Sequence, residues 1–297
     1  MPSKQFQIFG VGEVLWDLLP SGPQLGGASA NFVYHAHALR SSAWLISRVG
    51  DDALGHEIIA RWQALGLPGE MIACDPQAPT GTVSIALGGD GQPHYTIHEN
   101  VAWDRLEADT PMLAAMREAD AVCFGTLAQR SAASRRAIHA LLSAARSDAL
   151  RILDINLRPP FIAADVIAES LGLASVLKLN DDELPVLAKL FHLGGNSRDQ
   201  IVALAERFEL RLVALTRGCR GSLLFADGAW SEHAGLPTKV CDTVGAGDSF
   251  TAALTLGFLR GCSLDEINAR ANEVAAFVCS QAGAMPPLPY PGWAQTR

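Results

Sequence analysis

From residue 121 onward, short apolar runs return at intervals wide enough to hold a helix between most of them: Ala121–Phe124, Ile152–Ile155, Val176–Leu179, Leu212–Leu215 and Leu223–Phe225. Repeated strand-then-helix units predict an α/β fold built on a mostly parallel sheet. Parallel neighbours need crossovers, and the crossover helices cover both faces. Upstream, Phe6–Gly12 reads as a buried first strand, and Gly26–Leu39 as two glycines followed by a helical pattern. Trp44–Val49 reads as a second strand and Leu54–Leu65 as a helix before the turn at Gly66. Thr82–Leu87 and His94–His98 alternate in polarity on either side of Gly88-Gly-Asp-Gly-Gln-Pro93, which predicts a hairpin with one open face. No composition shift marks a linker. The expectation is a single α/β domain over 1–297, with a small β outgrowth from parts of 12–25 and 76–104 placed to act as a lid.

Composition narrows the function classes. An apolar fraction of 49% against 18% charged residues describes a globular chain, not a disordered one. The net charge is −8, and the 4 Lys and 19 Arg stand singly. Without a basic block or a basic amphipathic segment, neither nucleic acid nor a membrane surface is an expected partner. The first residues lack the apolar region of a signal peptide. Cys74, Cys123, Cys219, Cys241, Cys262 and Cys279 show no Cys-x-x-Cys spacing and mostly sit in apolar runs, as in a reduced cytoplasmic protein.

The segment Asp242-Thr-Val-Gly-Ala-Gly-Asp248 concentrates the chemistry. Small residues at Gly245, Ala246 and Gly247 let backbone amides approach a ligand at a helix start, which favours negative charge and suits a phosphate. Asp248 would repel a resting phosphate. It makes sense as a base for a neighbouring hydroxyl, with the amides holding the charge of a transferring phosphoryl group.

Other segments converge on the same edge of the sheet. Asp154-Ile-Asn156-Leu-Arg158 stands at the carboxyl end of a strand, and Asp17 reads as holding the same kind of position after the first strand. Gly26-Gly27-Ala-Ser-Ala-Asn31 brings a bare backbone and an amide to a helix start. In Lys178-Leu-Asn180-Asp-Asp-Glu183, an amide and a carboxylate three apart could hold the water shell of Mg²⁺, or serve as a cap and a first-turn acid. The glycines of Thr216-Arg-Gly218-Cys-Arg-Gly221 could lie against a nucleotide phosphate or merely form a hairpin turn. His94 and His98 fit a lid lining and exposed hairpin positions equally well. A P-loop and a full dinucleotide fingerprint are absent.

With Asp17, Gly26-Gly27-x-x-Ala30-Asn31, Asn180-x-x-Glu183 and the Asp242–Asp248 segment in order, the whole chain resembles the ribokinase-like (PfkB) sugar kinases. The resemblance implies an ATP- and Mg²⁺-dependent kinase with a β lid over the sugar. It admits a monovalent cation such as K⁺ and a homodimer. It assigns the base to Asp248 and the anion hole to Gly245, Ala246 and Gly247. Asp17, Gly27 and Asn31 match sugar ligands, and Arg158 joins them. Glu183 matches a magnesium organiser acting through water, and Asn180, Thr216, Gly218, Gly221 and Asn272 the nucleotide side. Within the family, Gly12-Glu-Val-Leu-Trp-Asp17 and Asp154-x-Asn156-Leu-Arg158 are most similar to fructokinases. The gap from Asp17 to Gly26 is short where relatives often insert a lid strand. Ala28-Ser29 replaces the Gly-Lys of ribokinases, which disfavours ribose. The alternatives are a 2-keto-3-deoxygluconate or nucleoside kinase of the same fold, or a non-catalytic sugar- or nucleotide-sensing protein.

Overall fold

The computed structural model describes residues 5–19, 22–87 and 93–289. The chain opens with β1 (Gln7–Val11), then a hairpin of β2 (Leu15–Leu19) and β3 (Gly22–Gly26). Next come α1 (Ala28–Ala38), β4 (Ser42–Gly50), α2 (Ala53–Ala64) and β5 (Ile72–Asp75). A second antiparallel pair, β6 (Thr82–Leu87) and β7 (Pro93–Ile97), precedes α3 (Thr110–Met116). Strand and helix then alternate through β8 (Ala121–Phe124), α4 (Ala132–Ala144), β9 (Leu150–Asp154) and α5 (Ala164–Leu173). They continue through β10 (Val176–Asn180), α6 (Glu183–Phe191), α7 (Ser197–Arg207) and β11 (Leu212–Thr216). The order ends with β12 (Ser222–Ala226), β13 (Ala229–His233), α8 (Ala246–Leu259) and α9 (Leu264–Cys279).

Among the described residues, nine strands form one sheet in the order β13-β12-β11-β10-β9-β8-β1-β4-β5. From β5 to β11 every neighbour is parallel; β12 and β13 add antiparallel at the edge. Both faces are buried, which is why the central strands read as unbroken apolar runs. On β8, Val122 and Phe124 join the core on one face while Ala121 and Cys123 join that on the other. Helix α8 packs between α1 and α9, and every residue from Ser249 to Gly257 is buried, matching its uncharged sequence. The chain leaves β1 in both directions, with β4 on one side and β8 on the other. Such a reversal opens a crevice beyond the carboxyl ends of the strands.

A second sheet, ordered β3-β2-β6-β7, rises beside that crevice. The expected hairpin is present as β6 and β7; its connection, 88–92, and the His94 side chain lie outside the described residues. Two expectations are corrected. The short gap between Asp17 and Gly26 carries both β2 and β3, so no strand is missing there. Asp17 therefore does not end β1: it lies within β2, opposite Gln24. One further turn after Gly12 carries the chain off the large sheet before Asp17 is reached.

The stem of this sheet is rooted in α2. Trp16 is fully buried, donates from Nε1 to Leu54 O at 3.0 Å, and stacks beneath Arg61 at 4.6 Å. Asp52 caps α2 by accepting from Gly55 N at 2.8 Å. The same carboxylate accepts from Thr80 N at 2.8 Å and Thr80 Oγ1 at 2.6 Å, just ahead of β6. Partial burial pushes its pKa up, but these hydrogen bonds outweigh that and hold it below the usual carboxylate range. Asp52→Ala should lower unfolding free energy by about 1–3 kcal/mol. The contribution is present above the unfolded-state carboxyl pKa and lost as pH falls through the lower folded-state value. Urea unfolding of both proteins at neutral and strongly acidic pH checks the loss and its disappearance.

Candidate active site

The start of α8 is organised before the helix begins. Asp242 accepts from Val244 N at 3.0 Å and from Gly283 N at 3.1 Å, tying the loop to residues 281–284. Gly245 is the N-cap, with φ at 78°, and a Cβ there would strike the carbonyl of Ala284 at 2.5 Å. Only glycine fits both demands. First-turn amides have no partner within the helix and point outward at its positive end. At this end of α8 the Ala246 amide is drawn back to Thr243 O at 3.3 Å.

Asp248 lies in that first turn and accepts from Asn31 Nδ2 at 2.7 Å. Burial pushes its carboxyl up to about 7, and the nearby negative charge of Asp154 adds to the rise. The Asn31 bond, Lys178 and Arg158 pull the other way. A carboxyl near neutrality is suited to accepting and releasing a proton at working pH.

Below the turn sits a buried ion pair. Lys178 Nζ lies 3.0 Å from Asp154 Oδ1, and Thr251 Oγ1 of α8 donates to Asp154 Oδ2 at 2.9 Å. Lys178 and Asp154 are each 5% exposed. Burial alone would lower the lysine pKa; the charges of Asp154, Glu183 and Asp248 more than reverse it, and the ammonium stays protonated. Its Nζ is 3.0 Å from where a Cβ on Gly247 would stand, so the charge rests directly under the turn. Sequence reasoning gave Lys178 and Thr251 no role. A lysine inside an otherwise apolar strand was the available signal.

Asn180 and Glu183 satisfy one another. Asn180 Oδ1 accepts from Glu183 N and Asp182 N, each at 2.9 Å, while Glu183 Oε2 accepts from Asn180 N at 2.8 Å. Glu183 Oε1 accepts from Leu157 N at 2.8 Å, joining the end of β10 to the segment after β9. Both oxygens are engaged by the main chain, and the residue is 5% exposed. Among the described residues no group of three or more His, Cys, Asp or Glu is arranged to hold a metal. The arrangement does not fit direct ligation. It fits a hydrated Mg²⁺ felt through water, since the remaining lone pairs can accept from the ion's water shell.

On the crevice's other side, Asp17 faces from the second sheet with its carboxyl over Gly26. Burial lifts its pKa to about 6, while the charge of Arg158 lowers it and that of Asp242 raises it. Gly27, with φ at 106°, caps α1, and Asn31 N donates to its carbonyl at 2.9 Å. Arg158 is exposed, and its guanidinium donates to Leu157 O at 3.1 Å. Glu13 was also missed. It is 3% exposed, one of its oxygens has no hydrogen-bond partner, and burial raises its pKa against the pull of backbone amides and Arg158. A carboxylate directly after Gly12, at the end of an apolar strand, could have pointed to it.

The nucleotide-side candidates divide. Thr216 ends β11 with its hydroxyl donated to Leu179 O at 3.3 Å, and Gly218 is exposed with nothing near its Cβ position. Residues 217–221 connect the antiparallel β11 and β12, so the hairpin reading of this glycine segment holds. Gly221 is buried against the backbone at His233 and Gly235, which accounts for its being glycine. Asn272 Nδ2 donates to Ser222 Oγ at 2.6 Å and Asn268 O at 2.8 Å, binding α9 to β12. Gly221 and Asn272 are thus held by close packing and hydrogen bonding at the β12 edge.

A family model described as pfkB family carbohydrate kinase matches residues 23–291. The chain belongs to the pfkB carbohydrate kinases. A probable fructokinase-5 of Arabidopsis thaliana is 27% identical over 97% of this chain and 96% of its own length. A fructokinase of Escherichia coli is 27% identical over 95% and 96% respectively. Among solved structures, an uncharacterized sugar kinase of Pyrococcus horikoshii has a TM-score of 0.78 at 25% identity, covering 94% of this chain and 93% of that one. A Xylella fastidiosa fructokinase solved with bound ATP reaches 0.83 over 95% of each chain at 19% identity, a likeness of fold.

For a kinase of this family, the titration of Asp248 gives a signed expectation. Sugar-dependent kcat/KM should climb as pH rises through about 7, where the carboxyl loses its proton. Asn31→Ala removes a hydrogen bond to the ionised form and should move the midpoint to higher pH. Asp154→Asn removes a negative neighbour and should move it lower. Profiles of coupled ADP release for the three proteins check both directions, and a midpoint unmoved in both variants would assign the titration to another group.

Proposed function

We propose that this kinase transfers the γ-phosphoryl group of ATP to a primary hydroxyl of a small neutral sugar, with fructose the leading substrate. The observation that carries the reading is the bond from Asn31 to Asp248 at the positive start of α8. It sets a proton acceptor beside a sugar-facing amide, in the same helix turn as the backbone amides of Gly245 to Gly247. Asp248 takes the hydroxyl proton as the phosphoryl group passes in line, and the amides of Gly245, Ala246 and Gly247 stabilise its equatorial oxygens. Lys178, beneath the turn, adds positive charge to the same place. Asp17, Gly27, Asn31 and Arg158 orient the sugar; Asn180, Thr216 and Gly218 meet the nucleotide. Glu183 would hold a hydrated Mg²⁺ through water, and the ion would supply charge neutralisation on the phosphates. The second sheet closes over the sugar and excludes water, which protects ATP from hydrolysis.

Relatives named fructokinase support the substrate, as does the carboxylate of Asp17, to which sugar hydroxyls can donate. One observation favours a second reading: the exposed Arg158, whose charge reaches Asp17, is the group a sugar acid such as 2-keto-3-deoxygluconate would use.

Asp248→Asn retains size and most hydrogen bonding but cannot take the proton. Turnover should fall by roughly 10²–10⁴-fold while ATP binding survives; near-normal turnover would move the base elsewhere. Asp17→Ala should raise KM for sugar by about 10- to 150-fold, the loss of one charge-assisted partner, with KM for ATP little changed. Kinetics on fructose, ribose, tagatose, 2-keto-3-deoxygluconate and adenosine test the substrate. If the sugar acid has the highest kcat/KM, the second reading replaces the first.

A further inference from the structure

Arg130 takes no part in the chemistry just described, yet its guanidinium is held on several sides at once. It belongs to a 3₁₀ turn, Leu127–Arg130, that follows the carboxyl end of β8 at the crevice. Nε donates to Asp104 Oδ1 at 2.8 Å and Nη2 to Asp104 Oδ2 at 2.9 Å, with both side chains nearly buried. Nη2 also donates to His98 O at 2.6 Å, just past the end of β7. The guanidinium lies between two rings, with Cζ at 4.0 Å from the centre of Trp103 and 4.5 Å from that of Phe161.

These partners come from two places that matter to the site. His98, Trp103 and Asp104 form the returning stem of the second sheet. That stem is itself pinned to α4, where Ser134 Oγ donates to Trp103 O at 2.8 Å and accepts from Leu106 N at 3.0 Å. Phe161 belongs to the turn after β9, which its own amide closes by donating to Arg158 O at 2.8 Å. One planar cation therefore spans the stem of the second sheet and the turn that carries Arg158. Nη1 is buried without a hydrogen-bond partner, a cost that a pair serving stability alone has no reason to keep.

We propose that Arg130 is a positioning residue for phosphoryl transfer: by stacking on Phe161 and bridging to Asp104 and His98, it sets Arg158 relative to the second sheet. The inference rests on the reading of Arg158 and of that sheet given above. Lysine could supply the charge but neither the forked pair nor the planar stack.

The test uses the full chain, with KM for fructose and for ATP, ATP hydrolysis without sugar, and thermal unfolding as readouts. Arg130→Lys keeps the charge but loses the forked geometry and the planar stack, and should raise KM for fructose by roughly 5- to 20-fold while leaving KM for ATP within about twofold. Sugar-independent ATP hydrolysis should rise relative to sugar phosphorylation. Phe161→Leu keeps the Asp104 pair and should act in the same direction more weakly, so the idea remains testable if the lysine variant does not fold. In an Arg158→Ala background, Phe161→Leu should have no further effect on KM for fructose, because its route has been removed. Unchanged KM in Arg130→Lys and Phe161→Leu, with only stability lowered, overturns the proposal, as does an undiminished Phe161→Leu effect in the Arg158→Ala background. If Arg158→Ala alone leaves KM for fructose unchanged, the sugar-site reading falls and the proposal with it; a raised KM there with unmoved Arg130 and Phe161 variants sinks the proposal alone.

Discussion

The ion pair between Lys178 and Asp154 is the interaction on which the crevice depends. Asp154, Glu183 and Asp248 all bear on one ammonium that is almost out of water. Buried charges of one sign are tolerated only when paired and hydrogen-bonded. Without Lys178 the floor would hold several carboxyls and no cation, and the turn at Gly247 would lose the charge beneath it. Thr251 completes the pair from α8, so the helix that presents Asp248 is tied to the strand that carries Asp154. Asp248, the turn at Gly245–Gly247 and the sheet are in this way held in one frame.

The frame works because of where the sheet reverses. β1 has β4 on one side and β8 on the other, and the chain emerging from β1 is free to leave the sheet. It builds β2 and β3 across the crevice and returns as α1, which brings Asn31 to Asp248. Residues 217 positions apart thus share a hydrogen bond, through a path that the strand order makes short.

The large sheet and the start of α8 were legible in the sequence for physical reasons. Strands buried on both faces read as apolar runs, and a glycine-rich turn followed by an acid has few uses. The second sheet was harder to read. Asp17 was expected at the end of β1, yet two five-residue strands only two positions apart, the second opening on Gly22-Pro23, leave too little periodicity to reveal β2 and β3. The pair of Lys178 with Asp154 was not legible at all. The two residues are register partners on adjacent strands, and sequence spacing carries no register. The bonding of Asn272 was hidden for a related reason: its partner Ser222 lies on another element, and only the packing of α9 on β12 brings the two together.

In the proposed reading Asn31 serves two ends at once, facing the sugar and donating to Asp248. Evolution acting on this chain therefore cannot alter the amide to admit a different acceptor without retuning the proton affinity of Asp248. The freer ground for new substrate choices lies on the second sheet, where Asp17 pairs in register with Gln24, since Arg158 already bears on the Asp248 carboxyl. Divergence in sugar preference within this architecture is expected to proceed through the second sheet, with α1 left as the fixed wall.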